Sequence, residues 1–172
     1  MTTSDIIAIF SLLFSILAIV FSIFIYLKDQ KRNNQDQLFQ EKLNSYKELM
    51  NTAKSTYSKF FDIVDYVQFF NGDKNQWEKK FQKYSGVYYG LAYEFKYCLS
   101  KNSFILQEQI LTKLEKLEFA LIHFVTSSFH QDNEITFNAY DNIGQQIEEI
   151  EELIKSDLNI KNLSKGLEKR IK

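Results

Sequence analysis

Proline is absent from this 172-residue chain, glycine occurs five times and cysteine once. Proline and glycine are the residues that break helices, so their scarcity points to long, uninterrupted ones. The lone thiol, Cys98, excludes an internal disulfide framework and is compatible with a reducing compartment. An excess of one charge is missing too: 21 lysines and arginines face 22 acids, a formal net charge of −1. A dedicated nucleic-acid binder is normally strongly basic, so neither DNA nor RNA is an expected partner. Charged residues make up 25% of the chain, an ordinary share for a globular domain, which excludes global disorder.

Patterns that carry chemistry are equally scarce. No glycine-rich phosphate loop, nucleophile–base motif or paired Cys/His spacing occurs. The two histidines, His123 and His130, stand seven residues apart. On a helix that is about 10 Å, too far for both to hold one metal without further ligands. His123 reads as a packed or edge residue and His130 as a turn residue. The acidic run EEIEEL, residues 148–153, lacks the i, i+3 histidine that di-metal bundles combine with carboxylates. It reads as a solvated face. No catalytic residue, metal site or cofactor is expected.

What the chain does have is one long apolar run. From Ile6 to Leu27, IIAIFSLLFSILAIVFSIFIYL, 22 residues pass without a charge. At 1.5 Å per residue such a helix reaches about 33 Å, enough to cross a bilayer core of roughly 30 Å. A cleavable signal peptide fits poorly. The run is preceded by Asp5 instead of a basic residue, is too long, and has no small-residue cleavage site after it. Lys28, Lys31 and Arg32 follow it, so the positive-inside rule puts residues 1–5 outside and the C-terminal part in the cytoplasm. Tyr26 stands where an interfacial aromatic belongs. Nothing after residue 27 is apolar enough to span again. A single-pass protein of an inner or plasma membrane follows, and the Asn/Lys/Ile/Phe-rich composition suits an AT-rich bacterial genome.

Serines interrupt that run. With their small neighbours they read Ser4, Ala8, Ser11, Ser15, Ala18 and Ser22, spaced 4-3-4-3-4 along one helical stripe. Lipid gives helices no hydrophobic reason to associate, so contacts there use small residues and interhelical hydrogen bonds. The stripe is therefore the expected packing site of a homo-oligomer. The competing reading has each hydroxyl bonding back to the carbonyl four residues earlier.

The polar stretch 28–38 contains no helix breaker and reads as a helical stalk. Apolar positions then recur at Phe39, Leu43, Tyr46, Met50, Ala53, Tyr57, Phe60, Val64 and Val67, in heptad phase with the membrane stripe. One helix from the membrane to about Phe70 is the simplest account, ended by the turn signal NGD at 71–73. A second helix is expected over 74–99, with Trp77, Phe81, Tyr84, Tyr88, Leu91, Phe95 and Cys98 inward and SKNS at 100–103 as its break. Leu106, Ile110, Leu114, Leu117, Leu121 and Phe124 mark a third, ended within SSFHQDNE at 127–134. Tyr140, Ile143, Ile147, Ile150 and Ile154 mark a fourth over 135–158. The expected fold is all-α: a transmembrane helix, 6–27, continuing into a cytoplasmic antiparallel four-helix bundle over 39–158.

Two stretches are left over. The tail 159–172 carries Lys161, Lys165, Lys169, Arg170 and Lys172 against one acid, Glu168, and as an amphipathic helix it would suit an anionic membrane surface. GVYYGLAYEFKY, residues 86–97, sets tyrosines around Gly86 and Gly90, each costing a helix about 1 kcal/mol relative to alanine. Something is expected to approach that backbone closely, a neighbouring helix before a ligand. Lys79, Lys80, Lys83, Tyr89, Tyr93, Lys96 and Tyr97 form the candidate surface, for a protein partner or for a small nucleotide stacked on tyrosine.

The reading that follows is a non-enzymatic, self-associating bacterial membrane protein whose cytoplasmic bundle binds a protein partner. The alternative is a ligand- or nucleotide-gated effector that disrupts the membrane. Its layout resembles that of some bacterial antiviral systems, with no motif behind the resemblance.

Overall fold

A computed structural model describes residues 3–129 and 133–160, with residues 3–10, 13 and 133 described by their backbone alone. Four α-helices follow in order: α1 over Thr3–Phe69, α2 over Lys74–Asn102, α3 over Glu108–Ser128 and α4 over Asn133–Asp157. The chain divides into two compact units, Met1–Glu41 and Lys42–Lys172. The boundary falls three residues beyond the start expected for the bundle at Phe39.

The first unit contains α1 up to Glu41. From Leu12 to Leu27 every described side chain is exposed. Among the described residues no helix is long and apolar enough to cross a membrane. Six of the 22 positions of the expected span, 6–10 and 13, have side chains outside the described ones, as do Ser4 and Ala8. The hydroxyl of Ser15 donates to the Ser11 carbonyl at 2.9 Å, the local back-bond that competes with an interhelical one.

The second unit is an all-α four-helix bundle, and its turns follow from local chemistry. Asp73, in extended conformation, caps α2 by accepting a hydrogen bond from the Gln76 amide at 2.8 Å. A Cβ at Gly72 would meet the ends of the Phe70 and Gln76 side chains, which would have to shift to admit it. The break placed at SKNS moves: α2 continues to Asn102, and a 3-10 turn over Ser103–Ile105 ends it instead. The reason is that this last turn is tied down. Asn102 donates to the Cys98 carbonyl at 2.9 Å, and Lys101 pairs with Glu48 of α1 at 2.9 Å.

Contacts between helices run in opposite sequence order, so neighbours are antiparallel. Along α1, Glu48 meets Lys101, Thr56 reaches the Leu91 carbonyl, and Phe60 meets Tyr88 on α2. On its other side α1 meets α4 through Lys42–Asp157, Lys54–Glu151 and the Tyr57–Tyr140 stack at 4.2 Å. The Trp77 indole donates to the Ser128 carbonyl at 3.0 Å, and Lys96 pairs with Glu118, joining α2 to α3. Lys113 and Glu149 join α3 to α4. Neighbours are thus α1–α2, α2–α3, α3–α4 and α4–α1, which puts α1 diagonal to α3 and α2 diagonal to α4. Phe60 and Phe124 stack at 4.9 Å across the α1–α3 diagonal and fill the middle of the core.

Most of the expected inward stripe is buried, with one clear correction. Tyr84 is 47% exposed and faces out of the bundle. Phe39, Leu43, Tyr57, Tyr88, Leu91, Leu106 and Tyr140 are half-buried. Leu49, Thr56, Ile63, Ala92, Leu99, Val125 and Leu158 are buried in addition. A helix wedged between two neighbours hides a wider arc than a 3-4 stripe, which accounts for these additions.

Candidate interaction surface

The residues expected to form one surface on α2 point in three directions. Lys80 turns towards α1, its ammonium 4.5 Å from the centre of the Tyr66 ring and 5.9 Å from that of Phe70, a cation–π contact. Tyr89 and Lys96 turn towards α3: the Tyr89 hydroxyl lies 3.0 Å from that of Thr126, and Lys96 pairs with Glu118 at 2.7 Å. That hydrogen bond from Lys96 to Glu118 holds the ammonium above the usual lysine range. Lys79, Lys83, Tyr93 and Tyr97 point outward, with Tyr93 54% and Tyr97 74% exposed. Lys83 reaches only its neighbour Tyr84, 5.7 Å from the ring centre. A nucleotide platform would need these groups to converge, and they do not.

The glycines in this stretch give a sharper result. A neighbouring helix was the expected reason for Gly86 and Gly90, yet a Cβ built on either meets nothing within 4 Å. Both lie on the outer face of α2, between Lys83 and Tyr93. Among the described residues no helix uses the gap they leave.

Sequence reasoning missed a second surface. Between α3 and α4 runs an open groove of about 600 Å³, whose lining includes the small side chains of Ala120 and Ala139. Phe119, 71% exposed, stacks against His123 on its wall with ring centres 5.9 Å apart. His123 is therefore an edge residue. The available signal was the pair of alanines on facing helices, legible only once the pairing of α3 with α4 is known.

Groups with shifted ionisation belong to the framework. The Tyr46 hydroxyl donates to Asp157 at 2.6 Å, and Lys42 joins the same carboxylate oxygen at 2.9 Å. Burial works against ionising Asp157, but the bonds from Tyr46 and Lys42 outweigh it and hold the carboxyl below its ordinary range. Burial, then the hydrogen bond to Asp157, pushes the Tyr46 phenol well above its own range. This trio clamps the start of the bundle's first helix to the end of its last. Burial raises the Cys98 thiol, which leaves it protonated and inert. Among the described residues no three His, Cys, Asp or Glu side chains converge as metal ligands would. His130 and the basic tail residues Lys161, Lys165, Lys169, Arg170 and Lys172 lie outside the described residues.

Compared with known proteins, the chain matches no family model, no curated protein and no solved structure.

Proposed function

We propose that this chain is a single-pass, self-associating bacterial membrane protein whose helical bundle is a cytoplasmic protein-interaction module without enzymatic activity. One observation carries the membrane part. Twelve large apolar or aromatic side chains between Leu12 and Leu27 stand 50–69% exposed among the described residues. Burying such a side chain is worth about 1.5–3 kcal/mol, so twelve left in water cost on the order of 20 kcal/mol. That exceeds the 5–15 kcal/mol of net stability typical of a domain, which supports a cover for this face. A bilayer fits the length and the uncharged sequence of 6–27, and a packed partner helix fits the serine stripe.

The interaction role rests on the surface of the bundle, where Tyr93, Tyr97, Phe119 and the uncovered glycines face outward. A nucleotide-gated effector draws less support, because Lys80 and Lys96 are engaged within the bundle.

Two linked measurements test the proposal. Alkaline carbonate treatment of native membranes should leave the chain in the pellet; release into the supernatant would refute a spanning helix. Replacing Ser15 and Ala18 by leucine should sharply reduce the oligomers captured by crosslinking in those membranes. An unchanged oligomer would refute packing through the stripe.

A further inference from the structure

Charge in the bundle is segregated by helix, although the chain as a whole is close to neutral. Helix α2 carries six lysines against two glutamates. Helix α4 carries seven acids against one lysine. Their pairing within the bundle uses up only part of this. On α2, Lys74 and Lys79 have no acidic partner among the described residues; on α4, Glu134, Asp141 and Glu148 have no basic one. Because α2 and α4 are diagonal, their outer faces look away from each other. One side of the bundle is basic and the opposite side acidic.

We propose that the outer face of α2 docks on the outer face of α4 of a second copy of this chain, building a head-to-tail assembly. The inference rests on the self-association proposed above and names the surfaces that the bundles would use. The occupant follows from charge: the face that best complements the basic side of this molecule is its own acidic side. The faces also match in direction. Both α2 and α4 run antiparallel to α1, so they are parallel to each other in every copy related by rotation about the bundle axis. They match in level as well. Phe60 touches Tyr88, while Tyr57 and Phe61 beside it touch Tyr140, so Tyr88 and Tyr140 stand at the same height. From there, Lys79 and Lys83 lie towards Glu134, and Tyr97 lies within about a turn of Glu148.

The uncovered glycines then acquire a role. With no side chain at Gly86 or Gly90, the helix of a second copy can come close to α2 between Lys83 and Tyr93. Tyr93 and Tyr97 can donate hydrogen bonds to the carboxylates facing them. A contact between two different surfaces is heterologous, so it propagates from copy to copy and closes only if the rotation allows a ring.

Disulfide trapping of the full-length chain in native membranes tests this, with Cys98→Ser removing the native thiol. Tyr97→Cys and Glu148→Cys in one chain cannot bond to each other, because they lie on opposite sides of the bundle. Oxidation should give a ladder of dimers, trimers and higher species, and neither single variant should extend beyond dimers. Adding Lys79→Glu and Lys83→Glu should reduce the ladder at least tenfold, and adding Glu134→Lys and Asp141→Lys to that same chain should restore it. Trapping that stops at dimers would overturn the proposal, since it indicates a symmetric contact. A ladder that appears only after residues 161–172 are removed would also overturn it, because the basic tail would then be the occupant of the α4 face. Failure of trapping while a Ser15→Cys chain still crosslinks would refute this contact and leave self-association intact. Failure of both would remove the two proposals together.

Discussion

Replacing Gly86 and Gly90 by alanine separates the stability of the bundle from its assembly. In most proteins a glycine inside a long helix is retained because a side chain would collide with a neighbour. Here a Cβ at either position meets nothing within 4 Å, so the substitution carries no steric cost within the chain. What is left is the intrinsic preference of a helix for alanine, about 1 kcal/mol per site. The double variant should therefore be about 2 kcal/mol more stable. In a bundle of this size each kcal/mol moves the melting temperature by roughly 3–5 °C, for a combined rise of about 6–10 °C. Thermal unfolding would be followed by circular dichroism and by the fluorescence of Trp77, the only tryptophan. The full-length chain should be diluted in a detergent that keeps it monomeric. Gly144 is the control: a Cβ there would lie 2.8 Å from the Tyr57 hydroxyl and 3.2 Å from its ring. An overpacking cost of about 1–3 kcal/mol then opposes the helix gain of about 1 kcal/mol, and Gly144→Ala should give no net gain and up to about 2 kcal/mol of loss. A lower melting temperature for the Gly86/Gly90 variant would show that something within the monomer packs on that face, and would refute the exposed position argued for it.

Other outcomes follow from the core and the clamp. Asp157 has its carboxyl lowered in the folded state, so its stabilisation is complete above the unfolded value near pH 4 and fades as pH falls through the folded one. Asp157→Asn should flatten that acid limb in a pH series of melts. Tyr46 is raised, so its contribution holds below about pH 10 and is lost as pH climbs through the folded value; Tyr46→Phe should weaken this alkaline limb, to which the raised Tyr140 and Tyr88 also contribute, and cost about 1–3 kcal/mol at neutral pH. Phe124→Ala, which empties the stack with Phe60 across the core, should cost about 3–5 kcal/mol in denaturant titration. Tyr84→Ala on the exposed side of α2 should stay within about 1 kcal/mol of the parent, a difference that would be absent had Tyr84 been part of the core.

The bundle was legible in the sequence wherever one helix face alone decides burial. Ile143, Ile147, Ile150 and Ile154 are all buried because branched aliphatic residues at helical spacing have no other favourable place to go. Tyr84 shows where the period loses its force. It continues the stripe of Trp77 and Phe81, but an amphipathic tyrosine tolerates either side, and the stripe drifts outward by one position there. The end of α2 was misplaced because SKNS resembles a breaker, whereas Asn102 and Lys101 are held by Cys98 and Glu48. Helix α1 in the sequence says nothing about Glu48 meeting Lys101. The surfaces were the least legible part. Gly86 and Gly90 were visible as an oddity, and the charges of α2 and α4 could be counted. Only the diagonal placement of those helices turns the count into two opposite faces, and only the pairing of α3 with α4 opens the groove beside His123.

Association through one face of the segment 6–27 is the central claim, and cysteine substitution along it is the most direct test. In a Cys98→Ser background, single cysteines would be placed at positions 11 to 22 and oxidised in carbonate-washed native membranes. Disulfide dimers are predicted at Ser11, Ser15, Ala18 and Ser22 and not at Phe14, Ile16 or Phe21, a pattern with helical period. Equal trapping at every position, or no trapping at any of them, would contradict association through one face.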